Sequence, residues 1–289
     1  MTVLRSLLFV PGNKANMLSK AMGANADALI PDMEDSVPQA EKANARATVQ
    51  SFLPKLSTLD RPIIPRINSL DTAWIEDDLT AIVGPEIWGI SVGKIQSAAD
   101  ISTISQLIAG MEQRANVEVG SIKMIPWIET ALAIVHCYEI CRASQRIVAV
   151  AFGGEDFAND MAIERNDEEA NVAYARSALC IAARAAGVLA LDTPYFKFRD
   201  QQGLSTNTIA GKQLGFKGKF AIHPDQIDTL NACFKPSSEE IEQAHIIVAT
   251  FEKAEAAGRG STSLHGRVID VPVVKRARAV LALADDTPG

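Results

Sequence analysis

The amino-acid sequence predicts an α/β protein, a (β/α)8 TIM barrel with a C-terminal helical extension. Three observations predict it. Short, nearly continuous apolar runs alternate with longer amphipathic stretches from end to end, the pattern of a parallel sheet covered on both faces. Eight such runs occur in about 220 residues, the number a closed barrel of this type needs. A polar or charged residue stands at or just past the end of nearly every run, on the rim where such barrels build their active sites.

The expected strands are, in order, "SLLFVPG" (6–12), "ALIPDME" (28–34), "PIIPRIN" (62–68), "IWGISVG" (87–93), "IKMIPWI" (122–128), "IVAVAFGG" (147–154), "VLALDTP" (188–194) and "KFAIHP" (219–224). Helical periodicity fills the gaps between them, at 38–56, 97–114, 130–143 and 168–186. Beyond the eighth strand, further helices are expected at about 225–233, 237–257 and 271–284, with "GRGSTSLHG" (258–266) read as a glycine-bearing linker. The barrel domain is placed at 1–235 and the extension at 236–289. A doubly wound sheet is the runner-up, but no G-x-G-x-x-G turn follows the first strand.

Composition narrows the function. The chain has 289 residues, 47% of them hydrophobic, enough for a sizeable core. Its formal net charge of −7 argues against a generic nucleic-acid or anionic-membrane surface, while leaving room for one basic pocket. Cys137, Cys141, Cys180 and Cys233 are too few and scattered for a disulfide scaffold and read as buried free thiols. The apolar run before Pro11 is too short for a signal peptide, and no stretch approaches the ~18 residues of a membrane span. A cytoplasmic protein is expected.

The residues at the strand ends are Asn13, Glu34/Asp35, Arg66/Asn68, Lys94, Glu129, Glu155/Asp156, Asp192 and His223. Glu129 ends an apolar run, "IPWIET", where a bare carboxylate is costly unless a cation meets it. It and Asp156 close neighbouring strands and could share a Mg²⁺ ion, which takes oxygen ligands and keeps positions open. A helix cap or an ion pair with Arg66 is the plainer reading of Glu129, and spacing alone does not select Asp156 over Glu155 or Asp160. The four histidines show no zinc-ligand spacing. Arg66 suits an anionic substrate or a developing oxyanion. Lys94 among carboxylates is better placed to stay protonated than to form a Schiff base. Neither a G-x-S-x-G elbow nor a Walker-type loop is present.

The motifs "RSLLFVPGNKANML", "PDMEDSVPQAEKANAR", "PRIN", "IPWIET", "AFGGEDFAND", "AIHPDQI" and "GRVIDVPVVKRA" resemble, in combination and order, those of the citrate lyase β-subunit-like family. That family lies within the HpcH/HpaI aldolase group, with malyl-CoA and citramalyl-CoA lyases. The resemblance covers about residues 5 to 280. It implies a Mg²⁺ ion (or Mn²⁺), a CoA thioester, a 2-keto acid and reversible carbon–carbon cleavage. By position it makes Glu129 and Asp156 metal ligands and Arg66 the substrate arginine. Asp270, in "VIDVP", matches an acid supplied by a neighbouring subunit, which implies a homo-oligomer, a trimer or a dimer of trimers. Arg5 and Lys14 are the basic candidates for the CoA arm, and Glu34 and Asp35 are expected to support the site.

Three positions depart from the family pattern. Met33 interrupts the usual Asp-Leu-Glu-Asp, Gly93 precedes Lys94 where proline is usual, and Pro31 removes a donor from a central strand. The expected activity is cleavage of citramalyl-CoA or malyl-CoA to acetyl-CoA and a keto acid. The other readings are a citryl lyase β-subunit needing an acyl-carrier subunit, a thioesterase on the same scaffold, and a non-catalytic ligand-binding scaffold.

Overall fold

The computed structural model describes residues 3–166 and 169–285. Eight parallel strands close into a barrel in sequence order: β1 (Ser6–Pro11), β2 (Ala28–Asp32), β3 (Arg66–Ile67), β4 (Gly89–Val92), β5 (Lys123–Ile128), β6 (Ala149–Phe152), β7 (Leu189–Asp192) and β8 (Gly218–Ala221). Leu7 of β1 lies opposite both Ala28 of β2 and Phe220 of β8, and that double pairing is the closure. The chain divides into two compact units, Met1–Asn231 and Ala232–Gly289.

The two-residue alternation of a strand sorts side chains between two apolar cores. Leu7, Ala28, Ile30, Ile64, Ile125, Trp127, Ala151, Leu191 and Phe220 fill the barrel interior. Leu8, Leu29, Ile67, Ile90, Met124, Ile128 and Phe152 face outward against the helices. Full burial of each large apolar side chain contributes about 1.5–3 kcal/mol.

Prolines decide how much of the expected 62–68 strand pairs. Along the edge of β2 facing β3, the Leu29 N–H bonds to the Pro62 carbonyl at 3.1 Å and the Met33 N–H to the Arg66 carbonyl at 2.9 Å. Pro31 lies between them and has no N–H to give. Pro65 likewise accepts from Ser91 at 2.9 Å but donates nothing. The third strand therefore shrinks to Arg66–Ile67 plus an isolated bridge at Ile63.

Helix 97–114 is observed as Ala98–Arg114, begun by a capping box between Ser97 and Asp100. The segment expected at 130–143 is two helices, Ala131–Val135 and Cys137–Arg142, broken at His136. The one expected at 168–186 is Ala173–Ala186, stopped by Gly187 at φ 79°; residue 168 lies outside the described residues. The segment expected at 38–56 is Lys42–Leu56, and helices Ala15–Ala21, Ile75–Ile82, Gly154–Asp160 and Gln201–Leu214 add to the layer. Among the described residues, no helix is long and apolar enough to cross a membrane.

In the second unit, helices Ser238–Ala256 and Val271–Asp285 enclose a small core of Phe251, Ile269 and Val274. The linker reading of 258–266 is corrected: strands β9 (Thr262–Leu264) and β10 (Arg267–Ile269) form an antiparallel hairpin. His265 and Gly266 both have positive φ, 50° and 77°, as a two-residue hairpin turn of this twist requires.

Candidate active site

The barrel mouth is built in layers. Its floor is aromatic: Phe9, Trp127 and Phe220 meet with ring centroids 4.5–5.8 Å apart. The Trp127 indole N–H is satisfied by Ser91 Oγ at 2.7 Å. The Arg66 guanidinium lies on this floor, 4.6 Å from the Phe9 ring centre. Four carboxylates then surround the guanidinium or the space beside it. Asp32 takes it in two prongs, Nε to Oδ1 and Nη2 to Oδ2, both at 2.7 Å. Nη1 faces Glu34 at 3.1 Å and Asp35 at 3.2 Å. Glu129 projects from the end of β5 and is 5% exposed.

Two glycines make room for Glu129. A Cβ on Gly93 would come within 3.0 Å of one Glu129 oxygen and 3.1 Å of a Glu34 oxygen, and one on Gly153 would overlap the Glu129 side chain. Lys94 follows Gly93 with a left-handed backbone, φ 57°, unusual for a residue with a side chain. Its N–H donates to Glu129 Oε1, and its ammonium lies 3.6 Å from Glu34.

These carboxylates are held against their preference. Burial, with Asp156 next in effect, pushes Glu129 up to about 7. Burial pushes Glu34 up to about 8, assisted by Asp35, Glu129 and Asp32 and resisted by Arg66. Asp156 is raised by burial and then by Asp35. Burial opposes the charge on Asp32, but Arg66 outweighs it and holds Asp32 low. Burial likewise works against the charge on Lys94, and the surrounding carboxylates, Glu34 foremost, overcome it and raise the amine. A protonated amine is no Schiff-base nucleophile.

The sequence brought Glu34, Asp35, Arg66, Lys94, Glu129 and Asp156 to one mouth, and the structure places all six there. Glu129, Lys94 and Asp156 line a cavity of about 510 Å³. Of the neighbours that competed with Asp156, Glu155 pairs with Arg165 at 2.8 Å, while Asp160 lines the same cavity and accepts the Ala131 N–H at 2.7 Å. Other rim candidates turn away. Asp192 points into the helix layer, bonded to Arg176 at 2.6 Å and Lys219 at 2.7 Å. Asn68 is buried against Asp78 at 2.6 Å. His223 caps the Pro224–Gln226 turn and stacks on Phe198.

The two CoA candidates separate. Lys14 is exposed just past β1, on the mouth side, at the start of helix Ala15–Ala21. Arg5 precedes β1, so it lies at the amino ends of the strands, the opposite end of the barrel. Its guanidinium there is paired with Asp27 at 2.7 and 2.9 Å. The expectation that Arg5 serves the mouth is therefore corrected. Asp270, on the extension, accepts the Val273 N–H at 3.2 Å and caps helix Val271–Asp285.

The residues present fit a hard divalent cation. Five carboxylates, Asp32, Glu34, Asp35, Glu129 and Asp156, face Arg66 and Lys94, a deficit of positive charge that shows in the raised Glu34, Glu129 and Asp156. Among the described residues no three His, Cys, Asp or Glu side chains form a ligand group. A cation held by Glu129 and Asp156 therefore keeps most positions open for substrate oxygens and water.

A closed parallel barrel with a carboxylate-rich mouth suits metal-assisted chemistry, and the family it matches makes the chain an enzyme of the aldolase type, a lyase. The HpcH/HpaI aldolase/citrate lyase family matches residues 5–224, and the chain belongs to that family. The citrate lyase subunit beta of Leuconostoc mesenteroides subsp. cremoris is 37% identical over 97% of this chain and 93% of its own length. A (3S)-malyl-CoA thioesterase of Cereibacter sphaeroides is 34% identical over 97% of this chain and 94% of its own. Among solved structures, the CitE protein of Mycobacterium tuberculosis, in complex with magnesium, acetoacetate and coenzyme A, superposes with a TM-score of 0.82. It is 28% identical, covering 97% of this chain and 98% of that one.

Proposed function

We propose that this protein is a Mg²⁺-dependent lyase that cleaves a 3-hydroxyacyl-CoA, citramalyl-CoA or malyl-CoA, to acetyl-CoA and a 2-keto acid in the cytoplasm. The observation that carries this reading is the placement of Arg66 beside the crowded pair Glu129 and Asp156 in one mouth. Mg²⁺ bound there would supply Lewis acidity to the hydroxyl and carboxylate oxygens of the substrate. Glu129 and Asp156 orient that ion, and the Lys94 N–H fixes the rotamer of Glu129. The hydroxyl gives up its proton to solvent, the O–H electron pair forms the keto group, and the adjacent carbon–carbon bond breaks with its electron pair passing to the thioester fragment. Arg66, immobilised by Asp32, faces the enolate oxygen that develops. Asp270 delivers the proton to carbon, acting from a neighbouring subunit of a homotrimer or dimer of trimers. The aromatic floor keeps water from below the reacting atoms.

Two kinds of relative favour particular alternatives. Citrate lyase beta subunits at 37–38% identity support a citryl substrate on a partner carrier, and malyl-CoA thioesterases at 33–34% support hydrolysis of the same thioester class. One experiment separates these readings. Purified protein is incubated with citramalyl-CoA, malyl-CoA and citryl-CoA, with Mg²⁺ or with EDTA, and the products are identified. Keto acid with acetyl-CoA is expected in Mg²⁺ only. Free CoA with intact hydroxy acid would make it a thioesterase, and full activity in EDTA would end the metal-dependent reading.

A further inference from the structure

The 510 Å³ cavity beside Glu129 and Asp156 is lined by polar and charged residues apart from Leu70, with Asp71, Asp100 and Asp160 adding to its negative charge. Lys94 is the only basic residue lining it among the described residues. The mouth's other cation has little to spare. Nε, Nη1 and Nη2 of Arg66 each already face a carboxylate within 3.2 Å, and its side chain is 12% exposed. The Lys94 ammonium has three donors and one long ion pair, 3.6 Å to Glu34, and its side chain is 42% exposed. Its placement is held by the main chain. The left-handed backbone at Lys94 commits the N–H to Glu129 and ties the residue to the cavity wall.

We propose that Lys94 is the specificity-determining anchor for the carboxylate of the acyl fragment, the group that becomes the carboxylate of the keto acid. This rests on the lyase reading above. A carboxylate entering an acid-lined cavity is repelled by its acidic walls; a Mg²⁺ ion at Glu129 and Asp156 would take one of its oxygens, and Lys94 is the basic side chain that faces the other. The ammonium swings from Glu34 to the ligand, exchanging a long ion pair for a close one. Arg66, fixed by Asp32, remains directed at the thioester side of the scissile bond.

The test uses Lys94→Asn, which accepts a left-handed backbone and keeps the N–H to Glu129 while losing the ammonium. Lys94→Arg retains the charge. Calorimetry with Mg²⁺ present compares pyruvate with pyruvamide, its uncharged amide, and Mn²⁺ affinity is measured separately by electron paramagnetic resonance. Lys94→Asn is expected to weaken pyruvate about ten-fold, to leave pyruvamide and Mn²⁺ within about two-fold, and to raise KM for the thioester far more than it lowers kcat. Lys94→Arg is expected to recover most of the pyruvate affinity. Unchanged pyruvate affinity in Lys94→Asn overturns the anchor. So does a parallel fall in Mn²⁺ affinity, which would make Lys94 a positioning residue acting through Glu129. A wild-type protein that binds neither Mn²⁺ nor pyruvate overturns the lyase reading and the anchor together.

Discussion

Asp32 holds Arg66 in two prongs along one edge of its guanidinium, with two hydrogen bonds of 2.7 Å running from β3 to the end of β2. Asp32 is 1% exposed, and its charge is sustained chiefly by this contact, with the Glu34 and Ser36 N–H groups adding to it. Breaking such a pair from one side costs about 3–5 kcal/mol, because a buried charge is left behind. Asp32→Asn is expected to lower the urea midpoint and to reduce kcat/KM by roughly a hundred-fold as the guanidinium loses its fixed orientation. Arg66→Lys is expected to fail comparably, since an ammonium cannot span both Asp32 oxygens. Wild-type turnover in Arg66→Lys would reduce Arg66 to a structural ion pair.

Glu129 and Glu34 set a pH signature. Both are raised in the folded chain, to about 7 and about 8 from 4.5. Their contribution to stability is complete below about pH 4.5 and is lost as pH climbs through the two folded values, because the folded state binds protons the unfolded state has released. A divalent ion binds the carboxylate and not the acid, so Mg²⁺ affinity rises with pH across about 7. Thermal unfolding in EDTA is expected to weaken in this respect between about pH 6 and about pH 9, while the upward shift produced by Mg²⁺ grows. A Mg²⁺ shift that is identical at both pH values would remove Glu129 from the metal site.

The same carboxylate yields a stability gain on mutation. Glu129→Gln removes a charge that burial and Asp156 both oppose. In EDTA near pH 8 the variant is expected to unfold at a higher temperature than wild type, yet to lose turnover and all response to Mg²⁺. Asp156→Ala is expected to lose turnover with its fold intact, since Asp156 is exposed in the first turn of helix Gly154–Asp160 and not in the packed core. Circular dichroism and metal titration check both.

Arg5 and Lys14 are expected to part company in kinetics. Lys14→Glu, at the mouth, should raise KM for the CoA ester with kcat nearly unchanged. Arg5→Ala, at the far end of the barrel, should lower stability by about 1 kcal/mol through loss of the Asp27 clamp and leave KM alone. A rise in KM for Arg5→Ala alone would reverse the two assignments.

Asp270 is tested by mixing. Glu129→Ala and Asp270→Ala chains are coexpressed and their mixed oligomers purified. If the acid acts on a neighbouring subunit, about a quarter of sites in a randomly mixed closed ring recover activity. If it acts within its own chain, every site lacks one group and the mixture stays inactive.

The barrel was legible because eight apolar runs carry the period of a buried parallel strand, and most strand positions follow. What escaped was what depends on partners. Asp32 sits in the quoted "PDMED" motif, but its duty to Arg66 appears only when β2 and β3 are laid side by side. The alternation of Ala28, Ile30 and Asp32 toward the interior was the available signal. Asp192 ends β7 as a rim residue should, yet the same alternation turns it outward to Arg176 and Lys219. Arg5 adjoins β1 at its amino end, and nearness to a strand in sequence does not by itself place a residue at the mouth. Helix Gln201–Leu214, "QQGLSTNTIAGKQL", has few large apolar residues and draws its start from the Asp200 cap, so periodicity alone passes over it. Pro31 and Pro65 thinned the third strand without displacing Arg66, whose carbonyl still accepts the Met33 N–H.

The bare backbone at Gly153 limits how this enzyme could be re-engineered. Any substitution there installs a Cβ within 2.5 Å of Glu129 side-chain atoms, whereas a Cβ at Gly93 meets the Glu129 and Glu34 oxygens at 3.0 and 3.1 Å, a contact that a small shift relieves. Even alanine at Gly153 would unseat the carboxylate that the whole mouth is arranged around. A directed-evolution library aimed at new acyl substituents should leave that glycine untouched. It should place its diversity at Leu70, Gln96 and Asn159, which line the same cavity. Selection at those positions could reshape the wall while the ligand geometry passes unaltered from parent to progeny.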